Sequence, residues 1–190
     1  MRRFSILSIT VLAVLTVAAC GSGSSTAASP PTTNALKLSS PSYEKAKPYP
    51  SKSAKMVCEA EVRGDIAKSL GAPATKVTKP TWKDHIYSCT YVYPKGSFVL
   101  SVKELSSEKQ TTDFFNRQKQ RLGFKDELFG LGQGAFAAKD DDVVVRKDYK
   151  VLIVDVTKVP KALGALAPAK TRSDIATSVA GVIMTCWPDE

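Results

Sequence analysis

The first twenty residues constrain this chain most, because they take themselves out of the fold and choose the compartment in which the rest must fold. Arg2 and Arg3 precede an uncharged apolar run from Phe4 to Val17, and Ala18-Ala19 lead into Cys20. A membrane-spanning helix needs about 20 apolar residues, so this run is too short to span and suits a cleaved export segment. On this reading whatever folds does so after residue 20. It also folds where exposed thiols become disulfides.

The thiol at the cut narrows the reading further. A general secretory signal has no need of a cysteine there, whereas a bacterial lipobox presents one to receive diacylglycerol. Cys20 occupies that position, with Val17 replacing the commoner leucine. The chain is therefore expected at the extracytoplasmic face of the cell membrane, held by lipid on Cys20. Each buried methylene of an acyl chain contributes about 0.8 kcal/mol, so more than one chain holds firmly. Arg2-Arg3 also opens a twin-arginine pattern, but its remainder is weak.

Three segments follow: a signal over residues 1–19, lipidated Cys20 with a tether to residue 53, and one domain over 54–190. The tether carries Gly-Ser-Gly-Ser-Ser, Pro30-Pro31, Pro41, Pro48 and Pro50 and few bulky apolar groups. Such a composition buries too little surface to offset its ordering entropy. Its coil dimension is roughly 30 Å. The 190-residue chain has a formal charge of +9, of which Arg2 and Arg3 contribute two, leaving +7 after the signal. Outside the cytoplasm that excess points to anionic headgroups, acidic wall polymers or a solvated lysine surface rather than to nucleic acid.

Within the domain, Cys58, Val62, Ile66 and Leu70 share a helical face that Gly71 and Pro73 terminate. Lys76–Trp82 reads as a short strand. His85–Tyr93 and Ser97–Leu105 alternate on either side of Pro94-Lys95-Gly96, which predicts a hairpin. Ser107 and Gln110 form a capping box for a second helix that turns Phe114, Phe115 and Leu122 inward and stops at Gly123. Its other face carries Lys109, Arg117, Lys119, Arg121 and, past its end, Lys125: a basic strip suited to an anionic surface. Strands at 135–138, 143–147 and 151–157 come next, then a loop with Pro160 and Pro168, and a helix capped by Thr171 and Asp174. The expected order is α-βββ-α-βββ-α: an α+β fold whose antiparallel sheet of about six strands is packed by three helices.

Cys58, the Leu70-Gly71 stop, Cys89 in an aromatic strand, and Leu128-Phe129-Gly130-Leu131-Gly132 before Ala135-Phe136 occur together over residues 56–186. This combination resembles the actinobacterial cell-envelope lipoproteins grouped as domain of unknown function 3558. The resemblance implies a lipobox, a tether and an α+β domain, and it implies no activity. Cys186 departs from that family's two-cysteine pattern. With Cys20 lipidated, three cysteines remain, allowing three single bridges. Cys58–Cys89, which ties the first helix to the sheet, is favoured over Cys58–Cys186, which would staple the ends of the domain. Cys186 then stands on an apolar stripe as a small hydrophobe.

Catalytic patterns fail one by one. His85 is the single histidine, so no His-x-x-x-His zinc pair exists, and no metal or cofactor is expected. Gly-x-Ser-x-Gly and Cys-x-x-Cys are absent. Ser42/Lys45 and Ser106/Lys109 match Ser-x-x-Lys, but Ser173-Asp174-Ile175 and Lys170-Thr171-Arg172 are not the partners a penicillin-binding enzyme requires. Gly130, Gly132 and Gly134 precede a strand, whereas a dinucleotide loop follows one, so they read as a tight bend. Asp140-Asp141-Asp142 lacks EF-hand spacing and reads as a hairpin turn. The expectation is a non-enzymatic binding or scaffolding domain that meets an envelope protein or an anionic lipid or polymer. The alternatives are a carrier whose apolar ligand is lined by Phe98, Phe114, Phe115, Phe129 and Phe136, and, less favoured, an uncharacterised hydrolase.

Overall fold

Alternation organises the sheet around one long hairpin, β3 (Ile86–Tyr93) and β4 (Gly96–Glu104), paired from Ile86↔Lys103 to Tyr93↔Gly96. The computed structural model describes residues 45–160, 162–163 and 170–188. The export segment, Cys20, the tether as far as residue 44, and Pro168 lie outside these residues. N-terminal to the hairpin are α1 (Lys52–Met56), α2 (Ala60–Leu70), β1 (Lys76–Val77) and β2 (Thr81–Lys83). After it come α3 (Glu108–Leu122), β5 (Phe124–Leu128), β6 (Gly134–Ala138), β7 (Val143–Lys147) and β8 (Lys150–Asp155). The short strands β9 (Ala162–Leu163) and β10 (Lys170–Thr171) and the helix α4 (Arg172–Cys186) complete the order. The main sheet runs β1-β3-β4-β8-β7-β6-β5 with β2 also on β3, and every pairing described is antiparallel.

The class is the expected α+β with an antiparallel sheet, but the described residues hold eight main-sheet strands and four helices instead of six and three. Each difference has a local cause. The strand expected over Lys76–Trp82 is two, broken at Pro80, which has no N–H for the ladder. His85 is not in a strand: Asp84 and His85 both have positive φ (51° and 56°) and form the two-residue turn joining β2 to β3. The unforeseen β5 is an edge strand with residues 124–127 exposed and a register shift between Phe124 and Asp126. Charges and a bulge on an edge discourage pairing with other chains, and they also erase the apolar alternation. Cys58 lies outside any helix, in the link between α1 and α2.

The segment expected to end the tether is packed onto the domain. Ser51 caps α1 by accepting from Ala54 N–H at 3.2 Å, and its own N–H donates to Glu104 Oε1 at 2.8 Å. Glu104 is 3% exposed and stands directly opposite the equally buried Lys150 on β8. Ala46 N–H donates to Leu105 O at 3.0 Å, which holds the chain from residue 46 onward.

The two faces of the sheet have separate cores. On one, Cys89, Tyr91, Phe98, Leu100, Val102, Leu152 and Val154 pack with Val62, Ile66 and Leu70 of α2 and Ile175, Val179 and Ile183 of α4. On the other, Phe136, Val144 and Val151 pack with Leu105 and with Phe115 of α3. Both long helices are capped as expected, with a complete capping box at Thr171 and Asp174. At α3 the reciprocal contact slips by one residue, so that Gln110 Oε1 accepts from Ser106 N–H at 3.1 Å. The side chain of Lys170 donates to Ser69 O at 2.6 Å, placing a cation at the C-terminal end of α2.

Cys58 and Cys89 are joined by a disulfide, with Cα atoms 6.1 Å apart and a sequence separation of 31. A loop of that length gives about 3–4 kcal/mol on the chain-entropy account. The double replacement Cys58→Ala/Cys89→Ala is expected to lose that much in denaturant unfolding. Asp142 yields a second prediction. It is 3% exposed and accepts from Val156 N–H at 2.9 Å, and burial lifts its carboxyl pKa to about 6. Because the folded pKa lies above the unfolded value, the native state takes up this proton first as pH falls. This group's penalty is thus present at neutral pH and relieved between about pH 6 and 4. Asp142→Asn, which keeps the acceptor without the charge, is expected to melt higher than the parent at pH 7, with the gap closing by pH 4.

Candidate functional site

The basic strip of α3 is positioned by apolar packing beneath it. Phe115 meets Phe136 edge-on at 5.2 Å between centroids, which seats the helix across β6, β7 and β8. The five predicted surface cations then separate. Lys109 pairs with Asp113 at 2.7 Å, the Arg121 guanidinium donates twice to Gln118 Oε1 (2.9 and 2.7 Å), and Lys125 pairs with Asp141 at 3.2 Å. The Lys119 ammonium lies over three rings, Phe124, Phe115 and Phe136, at 5.1, 5.2 and 5.8 Å. It therefore acts as packing as much as charge. Arg117 lies over Phe114 at 5.8 Å and is exposed. The five cations of the strip thus have different local partners.

Arg117 instead joins a residue that the strip did not include. Between α3 and β4 a cleft of about 430 Å³ is lined by Lys103, Leu105, Gln110, Asp113, Phe114 and Arg117. Its floor is apolar, and its rim carries two cations and one carboxylate. The Lys103 ammonium also donates to Asp84 O at 2.6 Å. Such a cleft suits a group with a small apolar body and a polar end.

Beyond the cleft the sheet face changes character. One row of paired residues reads Thr81, Ser88, Ser101, Ile153, Val144, Phe136 from β2 to β6. Its apolar half lies under α3, and its hydroxyl half lies on β2, β3 and β4, with Thr81 and Ser88 hydroxyls 3.1 Å apart. Thr90 and Val99 continue the same face. Small hydroxyls on a sheet face make a surface that can be wetted or docked against. The sequence did contain this signal: Ser88, Thr90, Ser97 and Ser101 alternate with the core residues Cys89, Tyr91, Phe98 and Leu100.

Other predicted site residues fall elsewhere. Cys186 is free and half-buried, its Sγ 3.9 Å from Asp65 Oδ2; burial, then Asp65 and Glu61, hold its pKa above the ordinary thiol value. That favours the thiol over the thiolate. His85 is exposed, 5.6 Å from the Trp82 ring. Of the five phenylalanines proposed to line an apolar pocket, Phe114, Phe115 and Phe136 come together in the core under α3, and the other two do not join them. Phe98 belongs to one core, Phe115 and Phe136 to the other, Phe114 lines the cleft, and Phe129 is exposed. The glycine loop is a tight bend: Gly132 has φ +56°, and a Cβ there would sit 2.7 Å from Arg146 O. Among the described residues no three His, Cys, Asp or Glu side chains converge on a metal position.

Comparison with family models, with curated proteins and with solved structures finds no match for this chain.

The two cations of the strip that lie over rings are expected to behave differently. Lys119→Ala removes contacts worth about 1–2 kcal/mol and should lower the unfolding free energy by that amount. Arg117→Ala, at an exposed site, should change it by less than about 0.5 kcal/mol. Equal losses in chemical denaturation would show that Lys119 has no packing role.

Proposed function

We propose that the chain is an extracytoplasmic lipoprotein anchored in the membrane through lipid on Cys20, and that its domain is a non-enzymatic binding or scaffolding module at the cell envelope. The observation that carries the reading is the Cys58–Cys89 disulfide, buried at the seam between the N-terminal helices and the sheet. Such bridges persist in oxidising compartments, which agrees with an export segment ending at a lipobox cysteine. The likeness to the domain of unknown function 3558 family is part of the same proposal. Support for the binding half comes from the cleft between α3 and β4 and the hydroxyl-bearing sheet face beside it. Together they offer a polar surface with one apolar recess, suited to a protein partner that presents a carboxylate to Arg117 and Lys103.

The anchor is tested by mass and fractionation. Protein isolated from a lipoprotein-processing host is expected to begin at Cys20 and to carry acyl mass on it. Cys20→Ser is expected to stay unprocessed or be released. Normal membrane retention of that variant would overturn the anchor.

A further inference from the structure

One end of the sheet has features that the binding reading leaves unused. The chain enters the domain there: Ala46 N–H donates to Leu105 O at 3.0 Å, and the Trp82 indole N–H donates to Pro48 O at 2.9 Å. Leu105 N–H donates to Tyr149 O at 2.9 Å, so the turn between β7 and β8 shares this end. The loop between β5 and β6 closes on the same turn. Gln133 N–H reaches Arg146 O at 2.8 Å, and Asp148 N–H donates to Gln133 Oε1 at 3.1 Å. Three strand spacings, about 15 Å, separate the end of β4 from the start of β6.

Two large aromatic side chains stand exposed at this end, Phe129 at 86% and Tyr49 at 57%. Each has lysine nearby. The Lys47 ammonium lies 5.7 Å from the centre of the Tyr49 ring, and Lys147 lines a second cleft of about 430 Å³ with Gly130, Gly132, Gln133, Asp148 and Met184. The close approach of Gly132 to β7 clamps the base of the loop that follows Phe129.

We infer that this end of the domain rests on the bilayer that holds Cys20, with Phe129 and Tyr49 at headgroup level and Lys45, Lys47 and Lys147 around them. The inference depends on the lipid-anchored reading above. Residues 20–44, which join Cys20 to this end, span at most about 90 Å. A tether of that length holds a domain at an effective surface concentration in the millimolar range. A contact too weak to recruit a free protein is then enough to orient a tethered one. Aromatic rings and long lysine stems are the side chains suited to the water–lipid boundary. Single exposed apolar residues are ordinary on protein surfaces. Here two of them stand at the end of the sheet where the chain from residue 45 onward enters. Asp84, Glu108 and Glu127 are exposed at the same end, so the rings rather than net charge carry the contact.

The test uses the full lipidated chain in phosphatidylcholine vesicles, with and without phosphatidylglycerol, containing a phospholipid with a photoactivatable acyl chain. Cross-linked peptides are mapped by mass spectrometry. Adducts are expected within residues 45–50 and 128–134, at similar yield in both lipid mixtures. Phe129→Ala/Tyr49→Ala should cut them by at least about tenfold, since each ring lost removes part of a buried aromatic's transfer energy. Unchanged melting of that variant would show the domain intact. Phe124→Ala, also at an exposed ring (46%) but beside Ala138 at the opposite end of the sheet, should leave the yield as it is. An acylated Cys20 with adducts absent or spread evenly over the domain overturns the docking and leaves the anchor standing. A Cys20 without acyl mass overturns both.

Discussion

The link between α1 and α2 is fastened to β3 at a single place, and the N-terminal part of the domain depends on it. Cys58 is bonded to Cys89, the Tyr91 hydroxyl donates to Val57 O at 2.7 Å, and Arg63 Nε–H donates to Cys58 O at 2.8 Å. A link between two helices leaves carbonyls without helical partners, and burying them unpaired would cost free energy. Tyr91 and Arg63 satisfy two of them, while the disulfide prevents the link from lifting away. Burial pushes the Tyr91 phenol well above its ordinary pKa, so it remains a donor at any physiological pH. Stacking of Tyr91 on Phe98 at 4.9 Å carries the attachment across to β4.

From that point the sheet divides its work between two faces. The face bonded to the link is closed by α2 and α4 with apolar side chains. The opposite face is continuously apolar where α3 crosses it and mixes hydroxyls with Ile86, Val92 and Val99 on β3 and β4. A sheet covered on both sides throughout would need hydrophobic residues at every position of its strands. The alternation in β3 and β4 shows that this one is not built that way. The half not crossed by α3 carries small hydroxyls instead, beside the cleft at Arg117 and Lys103.

Charge is placed with similar economy. Of the five cations expected to form a basic strip, three are engaged by local acceptors, one is spread over three aromatic rings, and Arg117 reaches the cleft. Exposed pairs of this kind contribute little to stability. Glu104 and Lys150 differ in being buried: they are register neighbours on β4 and β8, the Glu104 Oε1 accepts from Ser51 N–H ahead of α1, and the Lys150 ammonium donates to Asp148 O. A buried carboxylate is costly unless it is hydrogen-bonded, and the Ser51 N–H supplies one such bond while fixing the entering chain.

Much of the architecture was legible because its causes are local. The hairpin of β3 and β4 follows from two alternating runs around a turn. The ends of α3 and α4 follow from Ser107 and Thr171, whose hydroxyls accept backbone N–H groups within three residues. The class followed from strands joined by short turns. Less was legible wherever the partner is distant in sequence. β5 exists because β6 offers it an edge, not because Phe-Lys-Asp-Glu-Leu has a strand pattern. α1 is five residues held by Ser51 and Glu104, the latter 53 positions away from its hydrogen-bond partner. Sequence alone determined the capped helices, the central hairpin and three candidate pairings for the cysteines. Only the tertiary structure decided which pair closed, which cations shared a cleft, and which aromatics were left outside. Those outcomes depend on which strands become neighbours, and local propensity carries no information about that.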